Sequence, residues 1–170
     1  MTTARQNLTG DQIIVLDAVS VGNGSYESSD SIENIVEKYL DCLIGGSVRV
    51  ATVVADGTFS ILAYANWSGS TTPQYSGGLD GVSGPITWGT TPSTSSVEGF
   101  NQLRILGTVS VDTTDDDNDI EFGPFSLASA YGGVVPRDWG IVLLNETGVA
   151  LHGTQTNTKF RYTGVLYDSN

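Results

Sequence analysis

The side chains that most often carry acid–base or nucleophilic chemistry near neutral pH are scarce in this chain. Histidine and cysteine occur once each, as His152 and Cys42, and the lysines are Lys38 and Lys159. His152 has no neighbouring histidine or cysteine to complete a zinc site, and the sequence contains no Gly-x-Ser-x-Gly nucleophile elbow. This composition favours a protein that binds, coats or assembles over an enzyme.

Carboxylates are densest around Asp115, Asp117 and Asp119. Oxygen ligands at alternate positions suit Ca²⁺. The run does not fit an EF-hand, because Ile120 stands where the turn glycine belongs and Ser126 where the bidentate glutamate belongs. We predict a solvated turn between two strands and no cofactor, with calcium bound by these three aspartates as the alternative.

Sugar chemistry is a further alternative. A glycosidase needs two facing carboxylates, and the candidates near predicted strand ends are Glu98, Glu121 and Asp138. Nothing in the sequence places any two of them face to face. Aromatic rings also stack on sugars, and the candidates for such a platform are Trp67, Tyr75, Trp88 and Tyr131.

Composition limits the class of protein and its partners. The chain has 170 residues, of which 39% are hydrophobic, enough for one folded domain. Seven basic against 19 acidic side chains give a formal net charge of −12, which repels nucleic-acid phosphates and anionic lipids, so we expect neither nucleic acid nor membrane as a partner.

The N-terminal residues lack the apolar core of a signal peptide, and a lone cysteine makes no internal disulfide. Both features fit assembly in a reducing cytoplasm.

The order of apolar and turn residues predicts a mainly β protein. We expect a flexible arm at residues 1–10 and a single β-rich domain at 11–170. Alternating apolar runs bounded by turn residues predict strands at residues 12–21, 48–55, 58–67, 103–111, 120–131, 139–145, 149–153 and 159–167. Strands at this spacing are typical of an antiparallel β-sandwich or a jelly-roll-like barrel.

Two local signals refine this prediction. Between about residues 31 and 44 the apolar side chains recur at helical spacing, from Ile32 to Leu43, after a capping-box-like Asp30 and Glu33 and before a glycine pair. We therefore expect one amphipathic helix there. Asp56-Gly57 lies between two apolar runs and predicts a hairpin with a two-residue turn.

Residues 68–98 are rich in glycine, serine, threonine and proline and predict a long loop. Such a segment buries little apolar surface alone, so we expect another chain to order it, together with the arm. An apolar patch beside the Pro136 turn, comprising Val134, Val135 and Trp139, is expected to be exposed. The predicted partner-binding residues are Tyr75, Ile86, Trp88, Val135 and Trp139.

Residues 122–151 contain the pattern P-x-x-W-G-I-V-x-x-N-x-T-G-x-x-L, which runs from Pro136 to Leu151. This stretch resembles the C-terminal part of small virion structural proteins of tailed bacteriophages. The resemblance implies a capsid-decorating (cement) or tail-associated subunit and brings no catalytic residues with it.

The sequence therefore leads us to expect a non-enzymatic structural virion protein, a capsid decoration protein that bridges and stabilises capsid subunits. Its expected partners are the major capsid protein or neighbouring virion subunits and further copies of itself, with a trimer favoured because the helix stripe and the patch exceed what one small sandwich needs. The alternatives are a carbohydrate- or receptor-binding β module of a tail appendage and, third, a glycoside-active enzyme.

Overall fold

The protein forms eleven strands and one short helix over the residues that a computed structural model describes, which are 5–51, 56–66, 75–76, 79, 81–86, 102–115, 117–154 and 159–168. The strands are β1 (Arg5–Leu8), β2 (Gln12–Ile13), β3 (Ser25–Ser28), β4 (Ile32–Glu33), β5 (Asp41–Arg49), β6 (Gly57–Asn66), β7 (Gly84–Pro85), β8 (Arg104–Val111), β9 (Asp119–Ser126), β10 (Asp138–Glu146) and β11 (Lys159–Asp168). The helix, α1 (Leu127–Ala130), lies between β9 and β10.

The strands form two antiparallel sheets. Sheet 1 has the order β1-β11-β5-β9, with β2 also paired to β11; sheet 2 has the order β7-β3-β10-β6-β8, with β4 also paired to β10. The described strands close no barrel, so of the two predicted architectures the β-sandwich is the one confirmed.

The centre of the sandwich is built on β10, whose residues are all buried up to Asn145. Trp139, Ile141 and Leu143 point between the sheets, and Val142 and Leu144 point to the outer side of sheet 2. Because both faces of the strand are covered, its sequence is a nearly continuous apolar run rather than an alternating one.

Gly140 interrupts that run for a steric reason. A Cβ atom at this position would collide with the ring of Tyr64 on the neighbouring strand β6. The close approach of the ring lets the Tyr64 hydroxyl donate a 2.6 Å hydrogen bond to the carbonyl oxygen of Ser29. This bond ties the segment before β4 to the middle of sheet 2.

The outer face of sheet 2 is covered by parts of the predicted loop 68–98. Tyr75 packs edge-on against Tyr64, with ring centroids 5.4 Å apart. Leu79 and Ile86 lie against the same apolar cluster, and Gly84–Pro85 add a short strand beside β3. Most of the remaining loop, including Trp88, lies outside the described residues, as does Trp67 just before it.

The predicted helix at residues 31–44 is wrong. Ile32–Glu33 form β4, and Asp41–Arg49 form β5 between β11 and β9. Val36, on the expected apolar stripe, is 84% exposed. From Asp41 onward the burial alternates with a period of two, with Cys42 and Ile44 buried, which is the pattern of a strand. A short helix does occur, at 127–130, inside the run predicted as strand 120–131.

The predicted hairpin at Asp56-Gly57 is also wrong. The strand before it, β5, belongs to sheet 1, and the strand after it, β6, belongs to sheet 2. The chain therefore crosses from one sheet to the other here. Local turn chemistry does not distinguish a hairpin from such a crossing, because turn residues between two apolar runs occur in both.

Several predicted strands are confirmed at nearly their predicted bounds: β6, β8, β10 and β11. Of the run at 12–21 only Gln12–Ile13 pair as a strand, although Ile14, Leu16 and Ala18 continue its alternating burial. Within the predicted arm, Arg5–Leu8 pair with β11 as β1. Thr9 continues the contact with β11, because its amide donates a 2.9 Å hydrogen bond to the carbonyl oxygen of Gly164.

Candidate binding surface

The outer face of sheet 1 carries a groove of about 360 Å³. Strands β1, β5, β9 and β11 and the connection between β1 and β2 line the groove. The lining residues are Leu8, Asp11, Leu43, Gly45, Gly46, Phe122, Gly123, Pro124, Arg161, Tyr162 and Thr163. Gly45 lies on β5, in the middle of the sheet, and contributes no side chain there. We call this feature the sheet 1 groove.

One side of the sheet 1 groove is polar. The Thr163 hydroxyl donates a 3.1 Å hydrogen bond to Oδ1 of Asp11, and the Arg161 guanidinium lies 3.9 Å from Oδ2 of the same carboxylate. All three groups are partly open to solvent. They offer an incoming molecule a cation, a carboxylate and a hydroxyl within one small area.

The rest of the sheet 1 groove, and the surface beside it, is mainly apolar. Leu8 is 65% exposed, and Leu43 and Pro124 complete the apolar lining. Ile13 lies opposite Arg161 in the strand register, so the two share this face, and Ile13 is 71% exposed. A concave, mixed apolar and polar surface of this kind suits a peptide segment or a loop of another protein.

The sequence reasoning did not find the groove residues. The available signal was the alternation in β11, which places Arg161 and Thr163 on the face opposite to Phe160 and Tyr162. That alternation shows which residues point outward. It does not show that Leu8 and Asp11, about 150 residues earlier in the chain, lie beside them.

The acidic turn is held by basic side chains. The Arg49 Nε atom donates a 2.8 Å hydrogen bond to Asp119, and its Nη1 atom lies 3.8 Å from Asp117. The Nε2 atom of His152 lies 3.6 Å from the same Asp117 carboxylate. The Asp115 carboxylate accepts a hydrogen bond from the backbone amide of Asp112.

These contacts direct the three aspartates of the predicted calcium alternative to different partners. The guanidinium of Arg49 lowers the pKa of Asp119. Among the described residues no group of three acidic, histidine or cysteine side chains is arranged to hold a metal ion. A cation at Asp117 would also have to approach Arg49, which opposes its binding.

The side chains singled out for catalysis have structural contacts. Burial raises the pKa of the Cys42 thiol to about 12, so it is not a nucleophile near neutral pH. Asp138 is buried on β10 and accepts a 3.1 Å hydrogen bond from Asn66. Glu121 is exposed on β9, in the other sheet, and Glu98 lies outside the described residues.

The predicted partner-binding residues of the long loop are placed as follows. Tyr75 is buried and Ile86 half-buried, both against the outer face of their own sheet 2. Trp88 lies outside the described residues. Tyr131, of the predicted sugar platform, packs at the margin of the main core. A role of these residues in binding a partner stays a prediction.

The expected exposure of Val135 and Trp139 is wrong. Val135 is 7% exposed and Trp139 is fully buried, with its ring 5.2 Å from that of Tyr162 in an edge-on arrangement. Trp139 is one of the inward-facing residues of the central strand β10. The proline turn just before it had suggested an exposed position instead. Val134 alone of the expected patch is exposed.

Comparisons with known protein families, with curated proteins and with solved structures found no match to this chain. Among the described residues, no helix is both long and apolar enough to cross a membrane.

Proposed function

We propose that this chain is a non-enzymatic structural subunit of a bacteriophage virion, a capsid decoration protein that binds and bridges capsid subunits. Its place would be in the virion, after assembly in the host cytoplasm. The starting point is the resemblance carried by residues Pro136 to Leu151, which form the central strand β10 and the turn after it.

The observation that carries the proposal is the difference between the two outer faces of the sandwich. The outer face of sheet 2 is covered by Tyr75, Leu79 and Ile86 of its own chain. On sheet 1 the corresponding face holds the sheet 1 groove and exposes Leu8 and Ile13. A subunit that attaches to a larger particle needs such a face, where apolar contacts supply affinity and Arg161 and Asp11 fix orientation.

The polar groups of the chain support the same proposal. Cys42 is buried, Asp138 is held by Asn66, and Arg49 and His152 contact the acidic turn. These groups stabilise the fold by their contacts.

A co-sedimentation assay tests the proposal. Capsids purified from phage that lack the gene for this chain would be mixed with purified protein, either wild type or carrying Leu8→Asp. We expect wild type to sediment with the capsids and Leu8→Asp to bind roughly tenfold more weakly, because a charge replaces an apolar contact in the groove.

Val82→Asp is the matched control, since Val82 is 58% exposed and lies by β7 on the side of sheet 2. It should bind as wild type does. Equal binding by Leu8→Asp and wild type, or no sedimentation of wild type, would contradict the proposal; binding to tails only would favour the tail-appendage alternative.

A further inference from the structure

Two glycines form a floor without side chains in the sheet 1 groove. Gly45 on β5 and Gly123 on β9 lie side by side, since a Cβ atom at Gly123 would approach the Cα atom of Gly45 to 2.8 Å. Arg161 stands opposite Gly45 on β11. The groove is therefore open over the two glycines, and its volume of about 360 Å³ has room for one large side chain of another protein.

The walls beside this floor suit an aliphatic side chain. Leu43 and Pro124 line the groove, and Leu8 is exposed at its rim. The hydrocarbon part of the Arg161 side chain adds further apolar surface. A side chain that fills this space removes apolar surface of both proteins from water, which favours binding.

Asp11 is the charged group of the groove that is most open to a partner. Its side chain is 64% exposed, against 44% for Arg161. The Thr163 hydroxyl donates a hydrogen bond to Oδ1 and so orients the carboxylate. Among the described residues, Oδ2 has only the Arg161 guanidinium near it, at 3.9 Å, which is too long for a hydrogen bond. A carboxylate has about four acceptor sites, so Asp11 has acceptors left for a basic side chain.

The charge of the whole chain favours the same kind of partner. The formal net charge of −12 attracts basic segments and repels acidic ones. Arg161 acts in the opposite direction, because it repels a second cation and attracts a carboxylate. An acidic segment in the groove would, however, meet both the more exposed Asp11 and the negative charge of the chain.

We propose that the sheet 1 groove binds a partner segment that carries a large aliphatic side chain next to a lysine or arginine. The aliphatic side chain lies over Gly45 and Gly123, and the basic group pairs with Asp11. The inference rests on the proposed function for the identity of the partner, a capsid protein. The chemistry of the groove is testable without capsids.

Three matched peptides test that chemistry. Blocked dipeptides of leucine followed by lysine, glutamine or glutamate would be titrated, up to about 10 mM, into isotope-labelled full-length protein and followed by NMR. The lysine peptide should shift the amide signals of Leu43, Gly45 and Thr163 and bind roughly two- to fivefold more tightly than the glutamine peptide. The glutamate peptide should bind most weakly. Tightest binding by the glutamate peptide, or no shifts at these amides with the lysine peptide, would overturn the proposal.

Charge variants test the role of Asp11 with the same lysine peptide and with capsids. Asp11→Asn should weaken binding roughly two- to fivefold, because the basic group loses its partner. Arg161→Gln should bind about twofold more tightly, because it removes a like charge beside that group. The reverse pattern, with weaker binding by Arg161→Gln and tighter binding by Asp11→Asn, would show that the groove takes an acidic segment.

Filling the floor of the groove tests the place of the aliphatic side chain. Gly45→Val should bind the lysine peptide and capsids roughly tenfold more weakly, because its side chain occupies the space. Ser47→Val is the matched control, since Ser47 lies on the same face of β5, opposite Lys159 and outside the groove lining. It should bind as wild type does. Equal binding by Gly45→Val and wild type would contradict the proposal.

A Cβ atom at Gly45 would lie 3.1 Å from the carbonyl oxygen of Phe122, so the melting temperature of Gly45→Val is measured alongside. If this variant does not fold, the charge variants and the peptides decide. Peptide binding in the expected order without sedimentation on capsids would support the groove chemistry and contradict the capsid role. Sedimentation on capsids that neither Asp11→Asn nor Gly45→Val changes would contradict the groove chemistry alone.

Discussion

Glu27 is an acidic side chain that points between the sheets. It lies opposite Leu143 in the strand register and is 6% exposed. Burial raises the pKa of Glu27 to about 7, and the negative charge of Asp17 adds to the increase. The folded protein therefore holds a proton on Glu27 at a pH where the unfolded chain has released it.

The sign of the resulting pH dependence follows from that raised pKa. The contribution of Glu27 to stability is complete below pH 4.5 and is lost as the pH rises towards 7. Glu27→Gln removes this loss, so we expect its stability to exceed that of wild type by about 1–2 kcal/mol more at pH 8 than at pH 5, with allowance for solvent screening.

Urea unfolding at pH 5, 6, 7 and 8 measures this difference. Glu33→Gln, at an exposed glutamate on β4, is the control and should follow the wild-type pH dependence. Parallel pH profiles for Glu27→Gln and wild type would show that Glu27 is ionised in the folded protein throughout this range.

Asn145 holds the end of β10 through four hydrogen bonds. Its Nδ2 atom donates to the carbonyl oxygens of Val21 and Val149, and its Oδ1 atom accepts from the amide and the hydroxyl of Thr147. Asn145 is fully buried. These bonds explain why an asparagine and a threonine occur two residues apart at this turn. The sequence shows the two residues but not the hydrogen bonds between them.

Replacing Asn145 with aspartate removes both donors and places a carboxylate against two carbonyl oxygens. We expect a loss of about 3 kcal/mol or more in the free energy of unfolding, measured in urea. Asn23→Asp is the matched control, because Asn23 is exposed and its Oδ1 atom only accepts, from the Gly148 amide. Similar losses for the two variants would contradict this account of Asn145.

At the scale of the elements, the acidic turn between β8 and β9 is stabilised by Arg49 from β5. We expect that neither calcium nor a chelator changes the melting temperature, because the guanidinium already lies against Asp117 and Asp119 and repels a cation there. Arg49→Met should lower the free energy of unfolding only slightly, as for exposed ion pairs.

Thermal melts with added calcium and with chelator measure the first effect. A rise of several degrees with calcium that Asp117→Asn abolishes would instead establish the calcium alternative. Asp56→Asn, at an exposed aspartate outside the turn, is the control for a general effect of charge.

The strands that the sequence predicted correctly are those that a local residue pattern specifies. In β11 exposed and buried residues alternate from Lys159 to Gly164, and β10 is a continuous apolar run between turn residues. Such patterns specify a strand whichever neighbour it pairs with.

The errors arose where distant contacts decide the structure. The apolar residues from Ile32 to Leu43 fit a helical period, but β11 and β9 pair on either side of Asp41–Arg49 and make it a strand. Gly46 fits this arrangement, because a Cβ atom there would collide with the backbone of Lys159. Gly46 and Lys159 are more than 100 residues apart in the sequence, so local sequence patterns do not predict their contact.

The candidate site could be predicted least of all. Its residues come from β1, β5, β9 and β11 and from the segment between β1 and β2, and no local pattern joins them. Trp139 illustrates the opposite difficulty, since a tryptophan after a proline turn suits an interface as well as a core. Only the register of β10 within sheet 2 places it inside.

At the scale of the whole molecule, the two outer faces of the sandwich differ in what covers them. The outer face of sheet 2 is covered by Tyr75, Leu79 and Ile86 of the same chain, whereas the outer face of sheet 1 holds the sheet 1 groove. The proposed capsid contact therefore uses the outer face of sheet 1.

The acidic surface agrees with that role. The formal charge of −12 keeps the free subunit soluble and opposes contact with nucleic acid. It also favours basic partner surfaces beside the groove. Attachment to particles should then weaken as the salt concentration rises.

Immunogold electron microscopy of purified virions, with an antibody against this chain, tests the central claim most directly. The proposal predicts gold particles distributed over the capsid shell, and unlabelled shells on phage that lack the gene. Label confined to the tail or its fibres, or virions without label although the protein is present in the lysate, would contradict a capsid decoration role.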